Sequence, residues 1–311
     1  MNSPTMTSEF EPATLPPHAP RPSPIMDVEA FSSNQFLENL PEETEPIIAT
    51  NKQAIRRALK KKLDTDEEES EFILFSYVGP QLFGQLSNDG GSRGEIGIRT
   101  FYDASSLNLI VKIPRRAHEA ATRALEFLIV QEASRQGLDD QLLAVGSETI
   151  KEDPYSKEGD AAFIPQGPIP GRDDKWPTLV IETGLSESLL RLRVDASWWL
   201  TMSSGLVKMV IIISIDRAQP KILLECWKLG AVQHSHQLRS LCWNPLRPTK
   251  THSITMTHNG TSTTIAGAPL VIPFDDVFAI PPSGPTQGDF VFGSAVLEGF
   301  ARKVWRGQKL I

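Results

Sequence analysis

The sequence predicts an α/β (α+β) domain, a mixed central sheet flanked by helices, preceded by a disordered N-terminal tail. Three observations carry that expectation. Runs of β-formers alternate with two segments of helical periodicity in the order strand, strand, helix, strand, strand, helix, strand, strand. The runs at 178–182 and 207–215 are nearly continuous β-branched and apolar residues, as central buried strands are. Nine of the 24 prolines fall before position 50, where apolar periodicity is absent.

Residues 1–48, with Leu15-Pro16-Pro17 and Pro20-Arg21-Pro22-Ser23-Pro24, are therefore expected to be the disordered tail. Residues 49–70 are a charged link. Ile55, Leu59 and Leu63 recur at i, i+4, i+8, giving a short amphipathic helix with a basic face that runs into Asp64, Asp66, Glu67, Glu68 and Glu69. That face reads either as a nuclear-import or nucleic-acid-contacting patch or as a solvated helix balanced by the acidic run. The folded domain is expected over 71–311.

It opens at 72–78 with a strand or short buried helix. The Gly- and Asn-rich stretch 87–94 is a loop; it lacks the Lys-Ser/Thr ending of a phosphate loop, and no strand leads directly into it. Segments 96–102 and 107–113 alternate as strands around the turn Asp103-Ala104-Ser105-Ser106, and Pro114 stops the second. Strong helix formers fill 117–136, with Gly137 at the C′ position. Ala117, Ala121, Leu125 and Leu128 form its inward stripe, Glu119, Arg123 and Glu126 an outer ion-pair ladder, and His118 reads as a cap-region or packing residue. After 142–145 comes a polar link around 147–150, and an apolar strand at 161–164 follows, stopped by Pro165. A loop over 166–175 returns the chain to the strand 178–182. In the next helix, 186–200, Leu185, Leu189, Leu192, Ala196 and Trp199 step by four, three, four, three toward the sheet, with Arg191 and Asp195 at i, i+4 on another face. Strands at 207–215 and 222–227, a hairpin around Asn259-Gly260 as a type I′ pair, a strand at 270–274 and a helix at 295–305 complete the order.

Composition narrows the function classes. The net charge is −7, but residues 1–70 hold 13 acidic against 7 basic residues, leaving 25 against 24 for the remainder. A nearly neutral folded part is compatible with a phosphate-bearing ligand. Cys226 and Cys242 are too few for a disulfide framework and lack zinc-site spacing, so no disulfide partner is expected. The longest apolar run, 209–213, falls far short of the ~20 residues a membrane span requires. The first residues lack a basic start and apolar core, so an intracellular location, cytoplasmic or nuclear, is expected, with no membrane partner. His234 and His236 have no carboxylate or cysteine companions, and neither a nucleophile elbow nor a dinucleotide fingerprint occurs.

The candidate chemistry lies at Glu182, a carboxylate inside the apolar run Thr178-Leu179-Val180-Ile181. An ionised carboxylate buried there costs several kcal/mol, on the order given for an unpaired charge, unless a partner or metal compensates it. Asp160 stands at the entrance of the preceding strand, and two neighbouring strands each carrying a carboxylate near one end can bring Asp160 and Glu182 to one cation. The other reading makes both carboxylates structural acceptors, with Glu182 at a solvated strand end. Glu187 reads as a third ligand or as a first-turn carboxylate favoured by the helix dipole, at about 0.3 to 1 kcal/mol.

Asp160 before a short strand, Glu182 in the next strand and a helix directly after resemble the restriction-endonuclease-like superfamily of metal-dependent nucleases, whose signature is PD-(D/E)xK. More closely, KEGDAAFIP, WPTLVIETGLSESLLRLRVDASWWL and VKMVIIISI resemble a family of uncharacterised fungal proteins with the patterns K-E-x-D-x-S-F, W-P-T-L-V-x-E-x-G-x-S-E-S and D-A-x-W-W-L. LIVKIPRRAHEAATRALEFL and PLVIPFDDVF extend the similarity over roughly residues 95–305. The resemblance implies a restriction-endonuclease-like central mixed sheet, with Asp160 and Glu182 as Mg²⁺ ligands. It implies a lysine beside the metal that activates or orients water, and nucleic acid as partner. Two positions depart from the signature. Gly159 replaces its proline, and Thr183-Gly184 follows Glu182 where the lysine is expected two residues on. Arg191, Arg193 or Lys208 is then the expected source of positive charge, and an arginine stabilises charge but cannot act as a base. Two functions follow: a Mg²⁺-dependent nuclease (a phosphodiesterase), or a catalytically inactive domain of the same fold that binds nucleic acid or a protein.

Overall fold

The computed structural model describes residues 28, 30–64, 70–87, 97–185, 189–231 and 245–311. Mixed sheets flanked by helices build an α+β domain. The first sheet has the order β1 (Pro46–Ile48), β2 (Phe72–Ser76), β4 (Asn108–Lys112), β3 (Arg99–Asp103), β7 (Tyr155–Glu158) and β6 (Thr149–Glu152). The second has the order β13 (Thr263–Ala266), β12 (Leu246–His258), β11 (Lys221–Ala231), β10 (Met209–Ile215), β9 (Leu179–Leu185), β8 (Ala161–Pro165) and β5 (Leu142–Ala144). Within it only β9 and β10 run parallel, and helix α5 (Leu189–Met202) lies between them in the chain. Such a crossover is what a parallel pair requires. The remaining helices are α1 (Ser33–Leu37), α2 (Lys52–Leu63), α3 (Pro80–Ser87), α4 (Arg116–Arg135), α6 (Phe274–Phe278) and α7 (Ser294–Gln308). A separate antiparallel pair, β14 (Leu270–Ile272) with β15 (Phe290–Phe292), is joined through α6 and packs into the same core as α4 and α7.

The two-residue period of β9 and β10 sorts their side chains into two cores. Leu179, Ile181, Leu185, Met209, Ile211 and Ile213 pack with α4 and α7, whereas Val180, Val210 and Ile212 pack with α5 and the first sheet. Glu182 follows Val180 on the second face and pairs in register with Ile212. It is therefore sandwiched between the sheets, not held at a solvated strand end.

Several sequence expectations change. Within the stretch 1–48 expected to be a tail, α1 and β1 fold onto the domain. Phe36 is wholly buried, 4.6 Å from the Phe101 ring, and Phe31 packs edge-on against Tyr155. Two phenylalanines in a polar, proline-rich stretch give no periodicity, yet they suffice when an aromatic nest receives them. The polar link around 147–150 is part of the hairpin β6–β7, whose charged buried residues hide its strand character. The hairpin at Asn259 forms, but through four residues. Asn259 N–H donates to Ser262 O and the Asn259 Oδ1 accepts from Ser262 N–H at 2.8 Å; only Gly260 has positive φ, so the turn is not type I′. Gly137 does close α4, with φ +73°. Glu187, His234, His236, Cys242 and most of the 87–94 loop lie outside the described residues. Cys226 is a buried free thiol, pushed by burial up to about 12. No helix among the described residues is long and apolar enough to cross a membrane.

Candidate functional site

Pairing of β8 with β9 sets Ala161 opposite Ile181, so Asp160, one residue earlier, lies beside the Glu182–Thr183 peptide. Its N–H donates to Ile181 O, and its Oδ2 accepts from Thr183 N–H at 2.8 Å. The departure at Gly159 has a steric cause. A Cβ there would stand 3.1 Å from Val180 Cγ1 and 3.3 Å from Trp199 Cζ2, so a proline would crowd the Trp199 indole that fixes Glu182.

Both carboxylates are enclosed, Asp160 0 % and Glu182 2 % exposed, and both are met by cations. Lys112, at the end of β4, donates to Asp160 Oδ2 at 2.7 Å and to the Thr183 carbonyl, with its Nζ 3.8 Å from Glu182 Oε2. His118 Nε2 and Arg99 Nε lie 3.0 and 3.5 Å from Asp160 Oδ1. On the far side Glu182 Oε1 accepts from the Trp199 indole N–H at 2.6 Å and faces Lys157 Nζ at 3.4 Å. Lys157 in turn donates to Asp195 Oδ1 at 2.8 Å, and Arg191 does so at 3.1 Å. His118 Nδ1 also faces Glu71 Oε1 at 3.3 Å. The result is a continuous buried ion network at the interface of the two sheets.

The titration behaviour follows from this geometry. Burial opposes ionisation of Asp160, but His118 and Lys112 outweigh it and hold the carboxyl well below its usual range. Burial likewise opposes the charge on His118, yet Asp160 and Glu71 raise it to about 9, so the imidazolium persists at neutral pH. Glu182 goes the other way: burial pushes it up to about 7 against the pull of Lys157, with Asp195 and Asp160 adding repulsion. Lys112 is raised, because Asp160 and Glu182 overcome its desolvation.

The structure brings Asp160 and Glu182 together, and it gathers cations the sequence reading did not name. Arg191 reaches the network only through Asp195; its other nitrogen, Nη1, donates to Phe36 O and Glu38 O at 2.6 and 3.1 Å. Arg193 is bound in two places to Glu225, and Lys208 donates to Gly205 O. The charge expected from Arg193 or Lys208 comes instead from Lys112 and Lys157. Nor is His118 a cap or packing residue. Lys112 ends the buried strand β4, and the sequence alone does not distinguish it from an outward lysine.

The oxygens of Asp160, Glu182 and Thr183 are the hard donors that Mg²⁺ takes. Their meeting point, however, is filled by the Lys112 ammonium, and the adjoining cavity of about 20 Å³, walled by Lys112, Lys157, Glu182, Arg191 and Asp195, holds no more than about one water. An octahedral ion that keeps several waters does not fit these residues as folded. Among the described residues no three His, Cys, Asp or Glu side chains are grouped to hold a metal ion.

No family model and no curated protein matches the chain. A solved structure from Anabaena variabilis, named "a putative nuclease belonging to DUF820", is similar over 67% of this chain and 90% of its own, at 12% identity and a TM-score of 0.33.

Proposed function

We propose that this is a restriction-endonuclease-like domain, akin to the fungal family its sequence blocks resemble, whose metal-dependent phosphodiesterase site has become a self-neutralised ion network, leaving a catalytically inactive module that binds nucleic acid. The carrying observation is the Lys112 ammonium seated on Asp160 and beside Glu182, both shut away from solvent. The element order supports the fold: Asp160 precedes a short strand, Glu182 lies in the next, and α5 follows. With the charges already matched from within, Lys112 stands where a metal-bound water would have to sit, and both carboxylates are buried from a phosphodiester. For binding, α2 offers six basic residues and no acidic one among its twelve, and Ile55 and Leu59 anchor it on the first sheet. Arg57, Lys60 and Lys61 point to solvent, where phosphates are met by charge alone.

The test is fluorescence anisotropy with labelled single- and double-stranded DNA and RNA across a salt series, run beside cleavage assays in millimolar Mg²⁺ and Mn²⁺. Binding that weakens with salt, is lost in the triple change Arg57→Glu, Lys60→Glu, Lys61→Glu, and leaves the strands intact is the expected result. Cleavage that needs Mn²⁺ and disappears in Glu182→Gln would establish the hydrolase instead. That second reading is favoured by one observation, the meeting of Asp160, Glu182 and a lysine despite the missing lysine after Glu182. Intact strands with no binding would turn the search to a protein partner.

A further inference from the structure

We propose that a groove at one edge of the second sheet is the docking site of the chain's own proline-rich segment, residues 15–24, with Arg21 set at the groove's acidic rim. The groove has a volume of about 610 Å³ and lies between β5, with the link that follows it, and the 166–174 loop. Leu143 and Ile164 are cross-strand partners that face away from the core taking Leu142, Ala144 and Phe163. They form an open apolar floor, Leu143 being 47 % exposed. Pro168 and Ile169 make the wall, and a Lys175–Glu152 ion pair at 2.6 Å ties that loop to β6. Two exposed carboxylates, Glu148 and Asp174, stand on the rim, and neither is ion-paired among the described residues. Arg172 also lines the groove, but its guanidinium donates to Leu206 O and Trp176 O at 2.8 and 2.6 Å.

Charge, composition and reach select the occupant. Segment 15–24 holds five prolines and lies outside the described residues, and Arg21 is the only lysine or arginine before Lys52. Prolines favour an extended chain, the form in which peptides enter apolar grooves at low entropic cost. A lone guanidinium complements a rim of two unpaired carboxylates. Val28, the first described residue, bridges to Leu246 in β12. Pairing sets Leu246 opposite Ala231, Trp227 opposite Val210, Val210 beside Val180 and Val180 opposite Ala162. Leu246 therefore shares a row with the end of β8, where the 166–174 loop begins. Four strand spacings separate β12 from β8, about 19 Å. The seven residues from Val28 back to Arg21 cover about 22 Å at the polyproline rise. A tether of that length holds the segment near the groove at about millimolar effective concentration, so a weak contact is sufficient.

The experiment uses the full chain with Ser23 replaced by the photo-crosslinker p-benzoylphenylalanine, irradiated at two protein concentrations and mapped by mass spectrometry. The proposal expects crosslinks within one chain to 143–148 and 164–174, in a yield that does not change with concentration. That yield should fall about fivefold in Glu148→Lys/Asp174→Lys and in Arg21→Glu, and recover when the three changes are combined. Arg21→Glu lies outside the folded domain, so its effect is read even if the groove variant is destabilised. Crosslinks that map elsewhere or spread without preference overturn the proposal. So do crosslinks between two chains, which would make the occupant a second copy, and a yield indifferent to both charge reversals. None of these outcomes bears on nucleic-acid binding through α2.

Discussion

Trp199 donates its indole N–H to Glu182 Oε1 at 2.6 Å, linking the α5 face that packs on the sheet to the carboxylate in β9. The bond is charge-assisted and sealed from water, so its loss leaves Glu182 with the more distant Lys157 as its contact on that oxygen. Trp199→Phe keeps most of the packing and removes the donor. It is expected to cost about 1.5 to 3 kcal/mol in urea unfolding; a change below a few tenths would mean that Glu182 is neutral and poorly coupled.

The network divides ion pairs into two classes. Lys157 is 5 % exposed and is shared by Asp195 and Glu182, so Lys157→Met removes one cation from two buried carboxylates, leaving Asp195 with Arg191 and Glu182 with Trp199 and Lys112, and should destabilise the domain by about 3 kcal/mol. Arg123, paired with Glu119 and Glu126 on the outer face of α4, is 54 % exposed, and Arg123→Ala should cost under about 1 kcal/mol. Equal effects in parallel unfolding titrations would contradict the burial of the network.

Stability should fall as pH rises across neutrality. His118 is raised from 6.5 to about 9, so its contribution is complete below about 6.5 and lost as pH climbs through 9. Glu182, raised by burial to about 7, retains in the folded state a proton that the unfolded chain releases near 4.5, which also lowers stability as pH rises. Asp160, Asp195 and Glu71 are held low, burial being outweighed by their cations, so their contribution is lost on acidification below their ordinary range. Unfolding free energies at pH 6.5 and 9 should differ by about 3 kcal/mol on account of His118. An unchanged slope in His118→Gln would remove His118 as its source.

The segment before β1 belongs to the domain. Phe36→Ala deletes a wholly buried ring against Phe101 and Tyr155 and loosens the carbonyls that hold Arg191, at an expected cost of about 3 to 5 kcal/mol. Limited proteolysis should then cut within 31–40 in the variant and spare it in wild type. Equal cutting in both would place these residues outside the folded unit.

Glu182 is legible because a charge interrupts a continuous apolar run, and Asp160 because it precedes the neighbouring strand. Their cations are not, for a physical reason. Lys112 and Lys157 come from strands of the other sheet, and a lysine in a strand looks like an outward residue until the opposing sheet is placed over it. β7 was lost because Tyr155-Ser156-Lys157-Glu158 buries charges in place of apolar side chains. His118 looked like a helix-start residue because Glu71 and Asp160 reach it from distant segments. The strand–helix order of 161–231 needed no such information, since its periods of two and of three to four are written locally.

The most direct test of the self-neutralised site is a crystal of the full chain soaked in millimolar Mn²⁺ and measured at the manganese absorption edge. The account predicts no anomalous peak between Asp160 and Glu182, with the Lys112 ammonium in contact with Asp160. A manganese peak bound by both carboxylates, with Lys112 displaced, would contradict it and return the site to metal-dependent phosphodiester chemistry.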